Sequence, residues 1–211
     1  KININTNCNT SNKMHSELTL LTKSKSKADE IILLINDLKP VVRQALYKYE
    51  IPALQVFCKK HNLYITTSRF KVILKEDVGT FSNLGLRIPL TDKRDGVIHV
   101  YLSKDEAKAH LAHYFELMQN DESLGELLGY PGCCIAYFSS NFSKDTPNPI
   151  QNQSDPLLNL TKREQDAVLI SHFPCSQNCE KSKIIAKRNI TYLEKYYPGR
   201  AYELKQTLDL I

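Results

Sequence analysis

The chain has 211 residues, of which 42% are hydrophobic and 24% charged, and its formal net charge is +5. These values are ordinary for a globular protein with a buried core, and the charge is smaller than a dedicated nucleic-acid-binding protein usually carries. No run approaches the ~18 apolar residues of a membrane-spanning helix, so we expect no membrane partner. The sequence begins at Lys1 rather than Met, which leaves a removed leader peptide as an alternative.

The first hundred residues predict a polar start, then helices, then strands. Residues 1–24 are rich in Asn, Thr, Ser and Lys, so we expect a flexible N-terminal arm. Apolar spacing predicts three helices between residues 27 and 61, and Pro40 would open the second of them. The pattern then alternates with a period of two, which predicts one or two strands in 62–76 and another in 96–103.

The helix after the last predicted strand has its own start signal. Ser103 and Glu106 have the spacing of a capping box, so a helix should run from here to about residue 120. Its inward-facing residues are predicted to be Ala107, Leu111, Tyr114, Phe115 and Met118.

Helical patterns dominate the rest of the chain. We expect helices at 122–128, from 131 or 132 onward, at 161–173, at 176–197 and from 200, with a polar loop at 143–158. The sequence therefore predicts an α+β protein, mostly α-helical, with a small antiparallel sheet of two to four strands. We expect a single domain over residues 25–211.

Four of the six cysteines, together with one histidine, occur in two short stretches, GYPGCCIAYF (129–138) and HFPCSQNCEKS (172–182). Each cysteine pair falls where a helix is expected to begin, and helix N-termini favour the thiolate form that binds metals. We predict one metal site with the candidate ligands Cys133, Cys134, His172, Cys175 and Cys179. Cys8 and Cys58 are expected to be ordinary buried side chains.

The nature of this site stays open between several alternatives. The spacing matches neither common zinc fingers nor ferredoxins, so either zinc or an iron–sulfur cluster is compatible with it. In an exported protein, Cys133 and Cys134 would instead form separate disulfides with Cys175 and Cys179, and five Asn-x-Ser/Thr sequons are present. A purely structural role as buried apolar side chains is the third reading. Thiolate ligands indicate a reducing, cytoplasmic location.

Five candidate ligands exceed the four of a closed zinc site, and this surplus predicts a metal-dependent enzyme of small-molecule or modified-nucleoside metabolism. Cys133 would be a catalytic thiolate, and Glu126 a candidate general base, although an exposed Glu is usually just solvated. The alternative function is a binding module with a structural zinc site. In that case the basic stretch after Cys179, with Lys181 and Lys187, would contact RNA or protein. The sequence gives no oligomeric state.

The two cysteine stretches resemble an uncharacterised prokaryotic family defined as a domain of unknown function. That family has a Gly-Tyr-Pro-x-Cys-Cys turn and a later His-x-Pro-Cys-x-x-x-Cys stretch, and the resemblance covers residues 125–186. It falls on Gly129, Tyr130, Pro131, Cys133, Cys134, His172, Pro174, Cys175, Cys179 and Ser182. Gly132 stands where the family has a larger, often acidic residue. The resemblance supports the site and implies no reaction.

Overall fold

The structure is a computed structural model that describes residues 4–73, 85–142 and 155–211, with side chains from residue 12 onward. The described residues form eight α-helices and one four-stranded antiparallel sheet. The predicted fold class, α+β and mostly helical, is therefore confirmed. The chain divides into two compact units, Glu30–Pro149 and the pair of segments Lys1–Asp29 and Ile150–Ile211. The single domain stays a prediction.

The sheet belongs to the unit Glu30–Pro149. Its strands are β1 (Val42–Leu46), β2 (Tyr64–Ile73), β3 (Leu86–Pro89) and β4 (Val97–Ser103), in the order β1-β4-β2-β3. Every neighbouring pair is antiparallel, and β4 is buried along its whole length between β1 and β2. Its Val-Ile-His-Val-Tyr-Leu-Ser sequence, rich in β-branched and aromatic residues, suits that central position.

Two of these strands differ from the sequence prediction. Residues 40–49 were expected to be a helix, which was wrong, because β1 occupies the middle of that segment. Val42, Ala45 and Leu46 satisfy a weak helical spacing, but the five residues of β1 alternate between buried and half-buried along a strand. Pairing with β4 therefore overrides the local pattern. The short β3 was not predicted.

Four helices lie wholly within the same unit, in chain order α3 (Ile51–Lys60), α4 (Glu106–Leu117), α5 (Asp121–Leu127) and α6 (Gly132–Asn141). All four were predicted within a few residues. The cap of α4 is Asp105, whose carboxylate accepts from the backbone N–H of Lys108.

The capping box was therefore wrong in detail. Ser103 lies in β4 and its hydroxyl donates to the carbonyl of Pro40 at 2.9 Å instead. Ser103 and Asp105 both have side chains that can cap a helix. Ser103 is still part of β4, so Asp105, which follows the strand, becomes the N-cap residue.

The face of α4 that packs on β2 and β4 is also not the predicted one. Ala109, Ala112 and Glu116 are buried, whereas Leu111, Tyr114 and Met118 are exposed. The buried Glu116 explains the rotation, because its carboxylate accepts from Arg87 at 2.8 Å and lies 3.2 Å from the guanidinium of Arg43. The two arginines balance the charge of Glu116. An acidic side chain can therefore occupy a buried helix position where apolar periodicity predicts a hydrophobic one.

The second unit contains α1 (Ile4–Thr22), α7 (Glu180–Tyr196) and α8 (Pro198–Thr207), and α2 (Lys25–Ile35) begins in it. Most of the N-terminal arm expected over residues 1–24 is the helix α1, and its flexibility stays a prediction. Leu18 is fully buried in α1, and the His15 ring lies 2.9 Å from Asp29. These tertiary contacts outweigh the polar composition of the segment.

The segment before α7 departs most from the prediction. The helix expected at 161–173 is only a 3-10 turn over Thr161–Gln165, and Asp166 ends it in the left-handed region with φ 54°. The Asp166 carboxylate accepts from the backbone N–H groups of Lys25 and Ser26, so it caps α2 across the sequence. Of the polar loop predicted at 143–158, residues 143–154 lie outside the described part.

Candidate metal centre

The backbone before the first cysteine pair is shaped by the C-terminus of α5. The N–H of Gly129 bonds the carbonyl of Glu126, and the N–H of Tyr130 bonds the carbonyl of Gly125, both at 3.0 Å. This is a Schellman motif, and it requires a left-handed residue, which Gly129 supplies with φ 78°. The turn explains why Gly-Tyr-Pro precedes the cysteines.

Cys133 and Cys134 lie in the first turn of α6, as predicted. Pro131 is the N-cap residue, and its carbonyl accepts from the N–H of Cys134 at 2.8 Å. The two Sγ atoms lie 3.9 Å apart, far beyond the ~2.05 Å of a disulfide bond. Cys133 is exposed and Cys134 is buried. One thiol of the pair therefore faces solvent.

The second pair sits on a different kind of backbone. Cys175 lies in the irregular segment before α7 and is half-buried, whereas Cys179 is buried and is itself the N-cap residue of α7. The helix was predicted to start before Cys179, and it begins one residue after it. The irregular segment is tied to α7 by Asn189, whose amide donates to the carbonyl of Leu169 at 2.9 Å.

His172 and Ser182 form a hydrogen-bonded line to Cys179. The Nε2 atom of His172 lies 2.8 Å from the Ser182 hydroxyl oxygen, and that hydroxyl lies 3.3 Å from the Cys179 sulfur. All three side chains are buried. Ser182 lies three residues after Cys179, the spacing that places two side chains on one helix face.

The sulfur atoms of Cys133, Cys134, Cys175 and Cys179 all lie within 4.8 Å of one another. Four thiolates around a zinc ion at ~2.3 Å define a tetrahedron with edges of about 3.8 Å, and the Cys133–Cys134 distance is close to that edge. These four cysteines could therefore hold a metal ion. Within the described residues His172 is not part of the group.

The remaining predicted residues have plainer surroundings. Glu126 is exposed on α5, so its role as a general base stays a prediction. Tyr130 is half-buried and packs against the apolar cluster of Val41, Tyr101, Ala112, Leu124 and Leu128. Cys58 is fully buried on α3, and burial raises the pKa of its thiol to about 12. It is the ordinary buried cysteine that was expected.

A second polar cluster, around Glu116, was not predicted at all. Burial works against ionisation of Glu116, but Arg43, His99 and Arg87 together lower the pKa of its carboxyl to about 2. Burial lowers the pKa of His99 and raises that of Tyr101. Apolar periodicity gives no signal for a paired acid on a buried helix face, so only the contact partners could have revealed it.

Ser182 was noted in the sequence only through the family resemblance. The signal that could have identified its contact is its position three residues after Cys179, because a hydroxyl at that spacing can reach the sulfur. A serine within a predicted helix is common, however, and nothing in one sequence distinguishes this one.

Comparison with known proteins gives one finding. Residues 109–209 match the model of a family described as a protein of unknown function (DUF483). The match contains both cysteine stretches, and it confirms the resemblance to a family of unknown function. No match was found among curated proteins or solved structures. In the described part of the chain, no helix is both long and apolar enough to cross a membrane.

Proposed function

We propose that this chain is a metal-binding protein in which Cys133, Cys134, Cys175 and Cys179 hold a single tetrahedral ion, with zinc as the leading candidate. The observation that carries this proposal is the mutual distance of the four sulfur atoms, all within 4.8 Å. Four thiolates at this spacing complete the coordination shell that zinc prefers in structural sites.

The same spacing favours one ion over an iron–sulfur cluster. A cluster places iron and sulfide atoms between cysteines that bind different iron atoms, so those thiolates lie further apart than the ligands of a single ion. Here all four sulfur atoms lie within 4.8 Å of one another, which leaves room for one ion. A mononuclear iron centre has the same ligand set and is the second candidate for the metal.

A closed site with four thiolates supports a structural role, in which metal binding and folding are coupled. The argument for an enzyme depended on a fifth ligand, and the Nε2 atom of His172 hydrogen-bonds Ser182 instead. A metal-dependent enzyme acting on a small molecule remains the second candidate function. The exposed Cys133 favours it, because this sulfur is the one that a substrate could reach.

The test is purification of the full chain without oxygen, followed by elemental analysis, an absorption spectrum and mass measurement without reductant. We expect about one zinc per chain and no loss of mass from disulfide formation. Cys134→Ser and Cys179→Ser should each lose the metal, whereas the matched control Cys58→Ser should keep it. Structural zinc sites contribute roughly 10–16 kcal/mol of apparent binding energy. Loss of one ligand in four therefore corresponds to roughly 70- to 900-fold in affinity.

The outcomes separate the candidates. Two disulfides and no metal in native protein would contradict the proposal and support the exported, disulfide-stapled alternative. Metal retained at full stoichiometry in Cys133→Ser, with lost turnover on a substrate, would favour the enzyme. Contact between the exposed lysines of α7, such as Lys181 and Lys187, and RNA or protein stays a prediction for the structural module.

A further inference from the structure

We propose that Ser182 and His172 are positioning residues for the Cys179 thiolate: Ser182 hydrogen-bonds the sulfur, and His172 acts through Ser182. This inference rests on the metal-binding function proposed above. Its basis is the line of two contacts, 2.8 Å from His172 Nε2 to Ser182 Oγ and 3.3 Å from Ser182 Oγ to Cys179 Sγ. The three side chains are between 0% and 6% exposed, so water does not compete freely for these bonds.

The proton positions in this line follow from the donor inventory. A serine hydroxyl has one hydrogen, and here Ser182 donates it to the Cys179 sulfur. Its oxygen can then only accept, so the hydrogen between His172 and Ser182 must be on Nε2. A protonated Nε2 has no lone pair for a metal ion. His172 therefore does not bind the metal through Nε2 and instead acts on the ligand Cys179 through Ser182.

The hydrogen bond from Ser182 stabilises the charged form of the buried Cys179 sulfur. Burial alone disfavours the charged form of a thiol, and the pKa of Cys58, raised to about 12 by burial, shows this effect in the same chain. A donated hydrogen bond offsets that penalty, because it places positive partial charge against the sulfur. Outer-shell partners of this kind orient metal ligands and typically contribute ~10–100-fold to metal affinity.

The decisive experiment measures metal affinity and a spectroscopic signature in four proteins: the wild type, Ser182→Ala, His172→Leu and His172→Gln. Zinc affinity is measured by competition with a chelator, and Co²⁺ is used as the spectroscopic probe. The thiolate-to-cobalt charge-transfer band reports electron density on sulfur. The matched control is Ser26→Ala, because Ser26 is also a buried serine and its hydroxyl has no hydrogen-bond partner in the described part of the chain.

For Ser182→Ala we expect ~10–100-fold weaker zinc binding and a charge-transfer band shifted to lower energy, since a sulfur without the donor holds its electrons less tightly. His172→Leu should show a smaller change in the same direction. His172→Gln should stay near the wild type, because its side-chain amide can still donate to Ser182. Ser26→Ala should leave both readouts unchanged.

Other results would overturn the inference in distinguishable ways. Wild-type affinity and band position in Ser182→Ala would show that the line has no role, while the metal centre itself would stand. Equal losses in Ser182→Ala and Ser26→Ala would reduce the effect to packing. A wild type that binds neither Zn²⁺ nor Co²⁺ would remove both proposals. Should Ser182→Ala fail to fold, an unchanged band in His172→Leu would contradict the proposal.

Discussion

The two cysteine pairs are held by backbones of different kinds. Cys133 and Cys134 lie in the first turn of a regular helix, after a Schellman turn that local sequence specifies through Gly129. Cys175 and Cys179 lie in and after an irregular segment that distant side chains hold, among them Asn189. The first pair is positioned by local backbone preferences, and the second by tertiary hydrogen bonds. The second pair should therefore be the one whose position depends on the proposed metal ion and on neighbouring side chains.

Removal of the metal should give the largest effect and should act unequally on the two pairs. With free metal at ~1,000 times its dissociation constant, binding stabilises the folded state by about 4 kcal/mol, so chelation should lower the melting temperature. Hydrogen exchange should then show lost protection in residues 166–179 and largely retained protection in α6. Equal loss of protection in both segments would contradict the comparison.

Removal of a tertiary hydrogen bond should disturb the second pair directly. In Asn189→Ala the buried carbonyl of Leu169 loses its donor, which should cost about 1–3 kcal/mol in the free energy of unfolding. Zinc affinity should fall with it. The matched control is Asn141→Ala, because Asn141 bonds the carbonyl of Tyr137 at 2.8 Å but is exposed on α6. Denaturant titrations that gave equal losses for both variants would show that burial is not the cause.

The turn before the first cysteine pair can be tested with a substitution that strains its backbone. Gly129→Ala places a side chain in the left-handed region, at about 1–2 kcal/mol, and its Cβ would lie 3.0 Å from Cδ of Pro40. Gly132→Ala is the control three residues away, because a Cβ there meets nothing within 4 Å and its backbone is helical. We expect Gly132→Ala to be neutral or slightly stabilising. Thermal melting of both variants checks this contrast.

The smallest expected effect is a pH dependence in the segment that leads to the second pair. Burial of Asp166 opposes ionisation, but donors from Ser24, Lys25 and Ser26 and the charge of Arg200 bring its pKa below the ordinary value. Because the folded pKa is depressed, its stabilisation is present above the unfolded pKa of about 3.9 and is lost as the pH falls through the folded value. Asp166→Asn should lose about 1 kcal/mol at pH 7. The difference from the wild type should vanish in acid, and a constant difference down to pH 2 would contradict this.

The same contrast between local and tertiary control explains what the sequence could predict. The helices α2, α3, α5 and α6 and the strand β4 follow from apolar spacing, and the cysteine pair at the start of α6 was placed correctly. These elements depend on residues that are near one another in sequence. The gathering of four cysteines was visible for the same reason, because metal ligands occur in short clusters.

The errors occur where distant partners decide the structure. Residues 42–46 become a strand because β4 pairs with them, and α4 turns its Glu116 inward because Arg43 and Arg87 neutralise it. The segment from Asp166 to Cys179 had a helical pattern, yet its first residue bonds the start of α2 instead. A single sequence does not predict these pairings, because none of the partner residues is unusual in its own local sequence.

The division of the chain between its two units has a consequence for how the protein is made. Glu30–Pro149 is continuous, so a ribosome can release it as one block while later residues are still being added. The other unit needs segments from both sides of that block. Its buried Asp29 meets the guanidinium of Arg200 only 171 residues later. At 5–20 residues per second this is a delay on the order of 10 to 30 seconds. The early segment waits for its partners through the whole of that interval, whereas the continuous unit has its complete sequence as soon as Pro149 has been added.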